Sequence, residues 1–173
     1  MNVIGIAGWS GAGKTTLLTR VIPRLTSRGL RVSTIKHAHH AFDIDQPGKD
    51  SHTHRTAGAT EVLISSANRF ALMHELRGAP ELTLHALLGK LSAVDLVLVE
   101  GFKREAHPKL EVHRASVGKP LLASDDPHIV AVASDGPVMT RVPVVSLDDI
   151  DAIAELLIAK AQPRDAVLAR VHA

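Results

Sequence analysis

The stretch Gly8-Trp9-Ser10-Gly11-Ala12-Gly13-Lys14-Thr15 constrains this chain more than any other. It fits the pattern G-x-x-x-x-G-K-[ST], and its flanks fit the same structure. Residues 3–7 form an apolar run that reads as a buried strand, and residues 16–25 carry Leu17, Leu18, Val21, Ile22 and Leu25 at helical spacing. Strand, glycine loop and helix in that order are the setting of a phosphate loop. The glycines let successive backbone N–H groups turn inward around phosphate oxygens, and the start of the helix adds positive potential. The segment from Gly8 to Thr16, including Trp9, Ser10 and Ala12, is therefore the expected nucleotide-binding element. Lys14 is expected on the β- and γ-phosphates, and the Thr15 hydroxyl on a Mg²⁺ ion.

A chain of 173 residues with this opening suits one α/β domain. We expect a mostly parallel central sheet flanked by helices, a phosphate-loop NTPase fold with a short hairpin extension. The nucleotide-binding domain is expected over 1–162, with a short C-terminal tail over 163–173. After the first helix, Gly29 is a left-handed cap candidate and residues 31–36 read as a second strand. Residues 61–65 and 70–74 read as a hairpin, 80–91 as a helix, and 95–100 as a central parallel strand. Strands are expected over 109–113, 129–133 and 142–146, and a helix over 149–161. Between 37 and 58 the pattern breaks into a polar, histidine-rich segment interrupted by Pro47-Gly48, which reads as a long loop.

Lys plus Arg total 20 against 18 acidic residues, so charge gives no general case for a nucleic-acid partner. The absence of cysteine excludes disulfides and thiolate metal sites and fits a reducing compartment. The first apolar run is too short for a signal peptide or a membrane span. The expectation is a cytoplasmic protein with no membrane or nucleic-acid partner.

A phosphate loop works with an acidic residue at the carboxyl end of a neighbouring strand, where it faces the metal ion and its waters. Glu100 occupies that end of the 95–100 run and Asp95 the other, so Glu100 is the candidate, and Gly101 lets the chain turn close behind it. Five of the 11 histidines fall between 37 and 54, interleaved with Asp43, Asp45 and Asp50. Two readings stay open for this segment. Imidazole and carboxylate suit a divalent transition metal; alternatively His37, His39 and His40 join Lys36, Lys49 and Arg55 in receiving an anionic ligand. Asp43 or Asp45 is a candidate for holding a Mg²⁺-bound water or an attacking water, which would make Lys14, Asp45 and Glu100 the catalytic set.

The run Lys36-His37-Ala38-His39-His40-Ala41-Phe42-Asp43-Ile44-Asp45-Gln46-Pro47-Gly48-Lys49-Asp50-Ser51, closed by His54-Arg55-Thr56-Ala57-Gly58-Ala59, resembles the molybdopterin-guanine dinucleotide biosynthesis protein B family. So do the phosphate loop, the block from Asp95 to Lys103, Pro108-Lys109-Leu110-Glu111-Val112, and residues 129–135. One position departs from the family pattern: Thr53 stands where a basic residue is favoured. The resemblance implies a dimeric adapter that binds GTP with Mg²⁺, hydrolyses it weakly, and assists a nucleotidyltransferase in attaching GMP to molybdopterin. It also implies that Gly11, Gly13, Lys14 and Thr15 bind phosphates and metal, with Glu100 as the strand-end acid, and that residues 37–55 face nucleotide, pterin or partner. The chain has no N-K-x-D guanine motif. Asp135 is either the acceptor for the guanine N1–H and amino group or a turn residue before Gly136-Pro137.

Two other functions compete. A GTP-dependent nickel chaperone would use the histidine segment, and a small-molecule kinase would clamp phosphoryl groups with Arg55, Arg69, Arg104 and Arg114.

Overall fold

A computed structural model describes residues 1–38 and 42–169. The chain divides into two compact units, one formed by residues 1–37 and 84–173 and the other by 38–83.

The first unit is built on β1 (Asn2–Ala7), β2 (Val32–Lys36), β5 (Leu96–Glu100), β6 (Lys109–His113), β7 (Ile129–Ser134), β8 (Val144–Ser146) and the two-residue β9 (Gln162–Pro163). Their order is β2-β5-β1-β6-β7-β8, all parallel, with β9 pairing antiparallel to the start of β1. In register, Ile6 lies opposite Glu100, and Lys36 opposite Glu100 on the other side. The carboxyl ends of β1, β2 and β5 are thereby level.

Side chains alternate between the two faces of the sheet. Ile4, Ile6, Leu96 and Leu98 pack with α1 (Lys14–Ser27) and α4 (Ile150–Lys160). Val3, Val97 and Val99 pack on the other face with α3 (Leu84–Lys90) and α5 (Arg164–Leu168). Every residue of β5 is buried, which explains its unbroken apolar run. α1 ends in a Schellman arrangement: Gly29 has φ +82°, its N–H reaches Thr26 O at 2.9 Å, and the Leu30 N–H reaches Leu25 O at 3.3 Å. Beyond α4 the chain continues on the sheet, where Val167 is buried in the Val3 cluster.

The second unit contains α2 (Asp50–Thr56) and the antiparallel pair β3 (Glu61–Ser65) and β4 (Phe70–His74), in the register expected of a hairpin. α2 lies inside the segment read as loop. It buries no residue, so no apolar stripe marks it in the sequence.

Candidate nucleotide and metal site

The turn from β1 into α1 is made by glycines where other residues would be strained. Gly8 has φ +143° and a Cβ there would lie 2.5 Å from Val112 O, so the loop rests directly on the end of β6. Gly11 and Gly13 have φ +82° and +91°, and Gly13 is the residue on which α1 begins. Lys14 folds back along the loop, its Nζ donating to Gly8 O and Trp9 O, both at 3.1 Å. This folds the ammonium back over the loop. Burial pushes the Lys14 pKa down, and the Lys103 cation pushes it further; Glu100 opposes both. Ser10, Thr15 and Thr16 are exposed, while Ala12 is buried beneath the loop.

The Thr15 hydroxyl donates to Glu100 Oε1 at 3.2 Å. Residues 85 positions apart are joined here because β1 and β5 are neighbours and end at the same level. Lys36 Nζ, from the end of β2, pairs with the same carboxylate oxygen at 3.2 Å. Hydroxyl and carboxylate oxygens at the foot of a phosphate loop form a donor set for a hard divalent cation such as Mg²⁺, which keeps several of its waters. Behind Glu100 the chain turns sharply. Gly101 has φ +105°, and a Cβ on it would meet the His37 Cβ at 2.5 Å. Phe102 follows in a left-handed conformation, φ +49°, with its ring 4.8 Å from that of His37. His37 therefore shapes the turn behind the acid; its backbone N–H donates to Glu100 O at 2.8 Å.

The other wall of the loop was not foreseen in detail. The Trp9 indole N–H donates to Pro120 O at 2.8 Å, and Lys103 and Lys119 place their ammonium groups 5.4 Å and 5.9 Å from its ring. Glu111, fully buried in β6, accepts the N–H groups of Leu122 and Ala123, each at 2.8 Å, and so fixes the turn that carries Pro120. Arg114 Nε donates to Ala12 O at 3.1 Å, and its guanidinium lies 3.6 Å from the Asp135 carboxylate. Asp135 also accepts the Ala115 N–H at 2.9 Å. Asp135 thus stands one residue from the phosphate loop through Arg114, with both oxygens already engaged. Arg114, named above as a phosphoryl clamp in the kinase alternative, directly follows β6, which ends beside the loop.

Asp45, Lys49 and Arg55 belong to the second unit. Arg55 gathers three carboxylates: Asp43 at 2.6 Å, Asp45 at 3.3 Å and Glu75 at 3.3 Å. Asp45 is 3% exposed and also accepts the Ser51 hydroxyl at 2.8 Å and the Gln46 N–H at 3.0 Å. In this arrangement Arg55 ties Asp43 and Asp45 of the 43–55 segment to Glu75, the residue after β4. Lys49 is the exposed residue on which α2 begins. His39 and His40 lie outside the described residues. Among the described residues no group of three or more histidine, aspartate or glutamate side chains converges as a metal site. Among them, too, no helix is long and apolar enough to cross a membrane.

A family model described as molybdopterin guanine dinucleotide synthesis protein B (MobB) matches residues 3–135. The chain belongs to that family. It is 42% identical over 159 residues to the molybdopterin-guanine dinucleotide biosynthesis adapter protein of Escherichia coli (strain K12), covering 90% of this chain and 91% of the relative. It is 40% identical to the protein of the same description from Haemophilus influenzae, covering 90% of this chain and 86% of the relative. A crystal structure described as molybdopterin-guanine biosynthesis protein B matches at a TM-score of 0.72 with 29% identity, over 91% of this chain and 98% of the other. The structure of a MobB homologue from Bacillus stearothermophilus matches at 0.67 with 28% identity, over 92% and 97%. The parallel sheet flanked by helices is thus the phosphate-loop fold of these MobB structures.

Proposed function

We propose that this protein is a GTP-binding adapter of molybdopterin guanine dinucleotide biosynthesis. In this reading it binds Mg²⁺ and GTP at the phosphate loop, hydrolyses GTP slowly, and assists a nucleotidyltransferase that joins GMP to molybdopterin. The observation that carries it is the hydrogen bond between Thr15 and Glu100, which puts a metal-binding hydroxyl and a strand-end acid together at the foot of the loop. The adapter descriptions of the relatives support the choice of pathway.

The division of labour follows from the geometry. Loop N–H groups and Lys14 neutralise the phosphates, while Thr15 and Glu100 supply oxygen ligands to the metal ion, which in turn offsets charge on the β- and γ-phosphates. Lys36 pairs with the same Glu100 oxygen that accepts the Thr15 hydroxyl and so holds the carboxylate in place. Neither carboxylate of the 43–45 segment is free to take a proton from water, since both are tied to Arg55. Asp135 is the candidate for guanine recognition, through rearrangement of its bond to Ala115. A homodimer is also proposed: Leu63 and Phe70 on the hairpin are 63% and 72% exposed, an apolar surface that suits a second copy.

The test is the rate of guanine dinucleotide formation by the partner enzyme, with and without this protein. The account expects stimulation that needs GTP and is lost in Lys14→Ala. Equal stimulation by that variant, or a solitary GTP turnover well above about 1 s⁻¹, would overturn the adapter reading.

A further inference from the structure

A cavity of about 350 Å³ opens beside the phosphate loop, lined by Ala7, Lys103, Arg104, Leu122, Asp125, Asp126 and Pro127. Ala7 is the last residue of β1, and Lys103 and Arg104 follow the turn behind Glu100, so the cavity lies at the carboxyl ends of the central strands. That is the crevice where ligands of parallel α/β sheets gather.

Its walls are built rather than accidental. Leu122 is held by buried Glu111. Asp126 is spent on Lys109, a side chain only 1% exposed whose Nζ lies 3.1 Å away, and on the His128 N–H at 2.8 Å. Asp126 therefore contributes little free negative charge, and Asp125, which is exposed, is the other carboxylate of the lining. The cations are in the opposite state. Among the described residues no ion pair joins Lys103, Arg104 or Lys119 to a carboxylate, and both lysines stand over the Trp9 ring. Lys103 and Arg104 are adjacent cations, and an anion between them relieves their mutual repulsion. Lys103 and Arg104 face a cavity wider than an inorganic phosphate needs.

We propose that this cavity is a second anion subsite, which takes the phosphate of a small phosphomonoester beside the bound nucleotide, with Lys103 and Arg104 as its ligands. The inference deepens the adapter reading and rests on it for the neighbouring nucleotide. It would set a phosphorylated molecule next to the phosphate loop with Trp9 between the two.

The probe is phenyl phosphate, with phenol as the control lacking the anion. Protein saturated with Mg²⁺ and a non-hydrolysable GTP analogue is titrated by calorimetry. The expected result is one phenyl phosphate per chain and no phenol, with affinity about tenfold weaker in Arg104→Gln and largely restored in Arg104→Lys. Phenol binding as well as phenyl phosphate, or undiminished affinity in Arg104→Gln, would overturn the proposal. If the analogue itself fails to bind, the adapter reading fails separately, and the same comparison on nucleotide-free protein still decides whether the cavity is an anion subsite.

Discussion

Lowering the pH from 7 to 5 should remove about 2 kcal/mol of stability through His107 alone. His107 is fully buried against β1, where a Cβ on Gly5 would lie 2.5 Å from its Nε2, and neither ring nitrogen has a hydrogen-bond partner. Burial, reinforced by the Lys109 cation and only partly offset by the Glu105 backbone and by Asp126, lowers its pKa from 6.5 to about 4. The folded state thus refuses a proton that the unfolded chain accepts. Stability is fully present above the unfolded value, falls as the pH drops through 6.5, and stops falling near 4. The assay is urea unfolding of the wild type and His107→Leu at several pH values, read as the difference in slope. Ten other histidines and the carboxylates titrate in both proteins and cancel in that difference. Leucine should flatten the dependence by about 2 kcal/mol over the interval, whatever its effect at pH 7. Parallel curves would show that His107 is protonated or solvated in the fold, and the reasoning would be wrong.

Lys14→Ala should lower triphosphate affinity by about a hundredfold or more while leaving the circular dichroism unchanged, since the side chain contacts only the loop it serves. Glu100→Ala should weaken nucleotide binding in the presence of Mg²⁺ and leave Mg²⁺-free binding much less affected; equal losses would remove the carboxylate from the metal site. In Gly101→Ala, a left-handed φ of +105° and a Cβ 2.5 Å from that of His37 should displace the turn carrying Glu100, lowering both the melting temperature and the Mg²⁺ dependence of binding. Replacing Arg55 by alanine leaves Asp43, Asp45 and Glu75 facing one another, so limited proteolysis should cut the 43–55 segment faster than in wild type.

What could be read from the sequence follows from what makes sequence patterns visible. β5 was legible because both of its faces are covered, and α1 because its apolar residues meet one face of the sheet. The hairpin was legible to its end residues, 61–65 and 70–74, because a polar four-residue turn separates two runs rich in apolar side chains. α2 carries no apolar stripe and was not visible. β9 is two residues long and pairs only with the start of β1. β6 was legible as a strand over 109–113, but its sequence does not show that Lys109 and Glu111 are buried, the one paired with Asp126 and the other accepting two backbone N–H groups. Such partners come from loops distant in sequence, and no local pattern announces them. The same holds for the wall of Trp9, Lys103 and Lys119. For Asp45 the residue type suggested chemistry, and only the surrounding bonds to Arg55 and Ser51 reveal its role in holding the segment together.

The only tryptophan of the chain is Trp9, and it lies in the phosphate loop. Its fluorescence, followed during separate titrations with GTP and ATP in the presence and absence of Mg²⁺, tests the central claim most directly. The account predicts a saturable change that is tighter for GTP and strengthened by Mg²⁺. Indifference to both nucleotides, or equal affinity for the two with no effect of Mg²⁺, would contradict it.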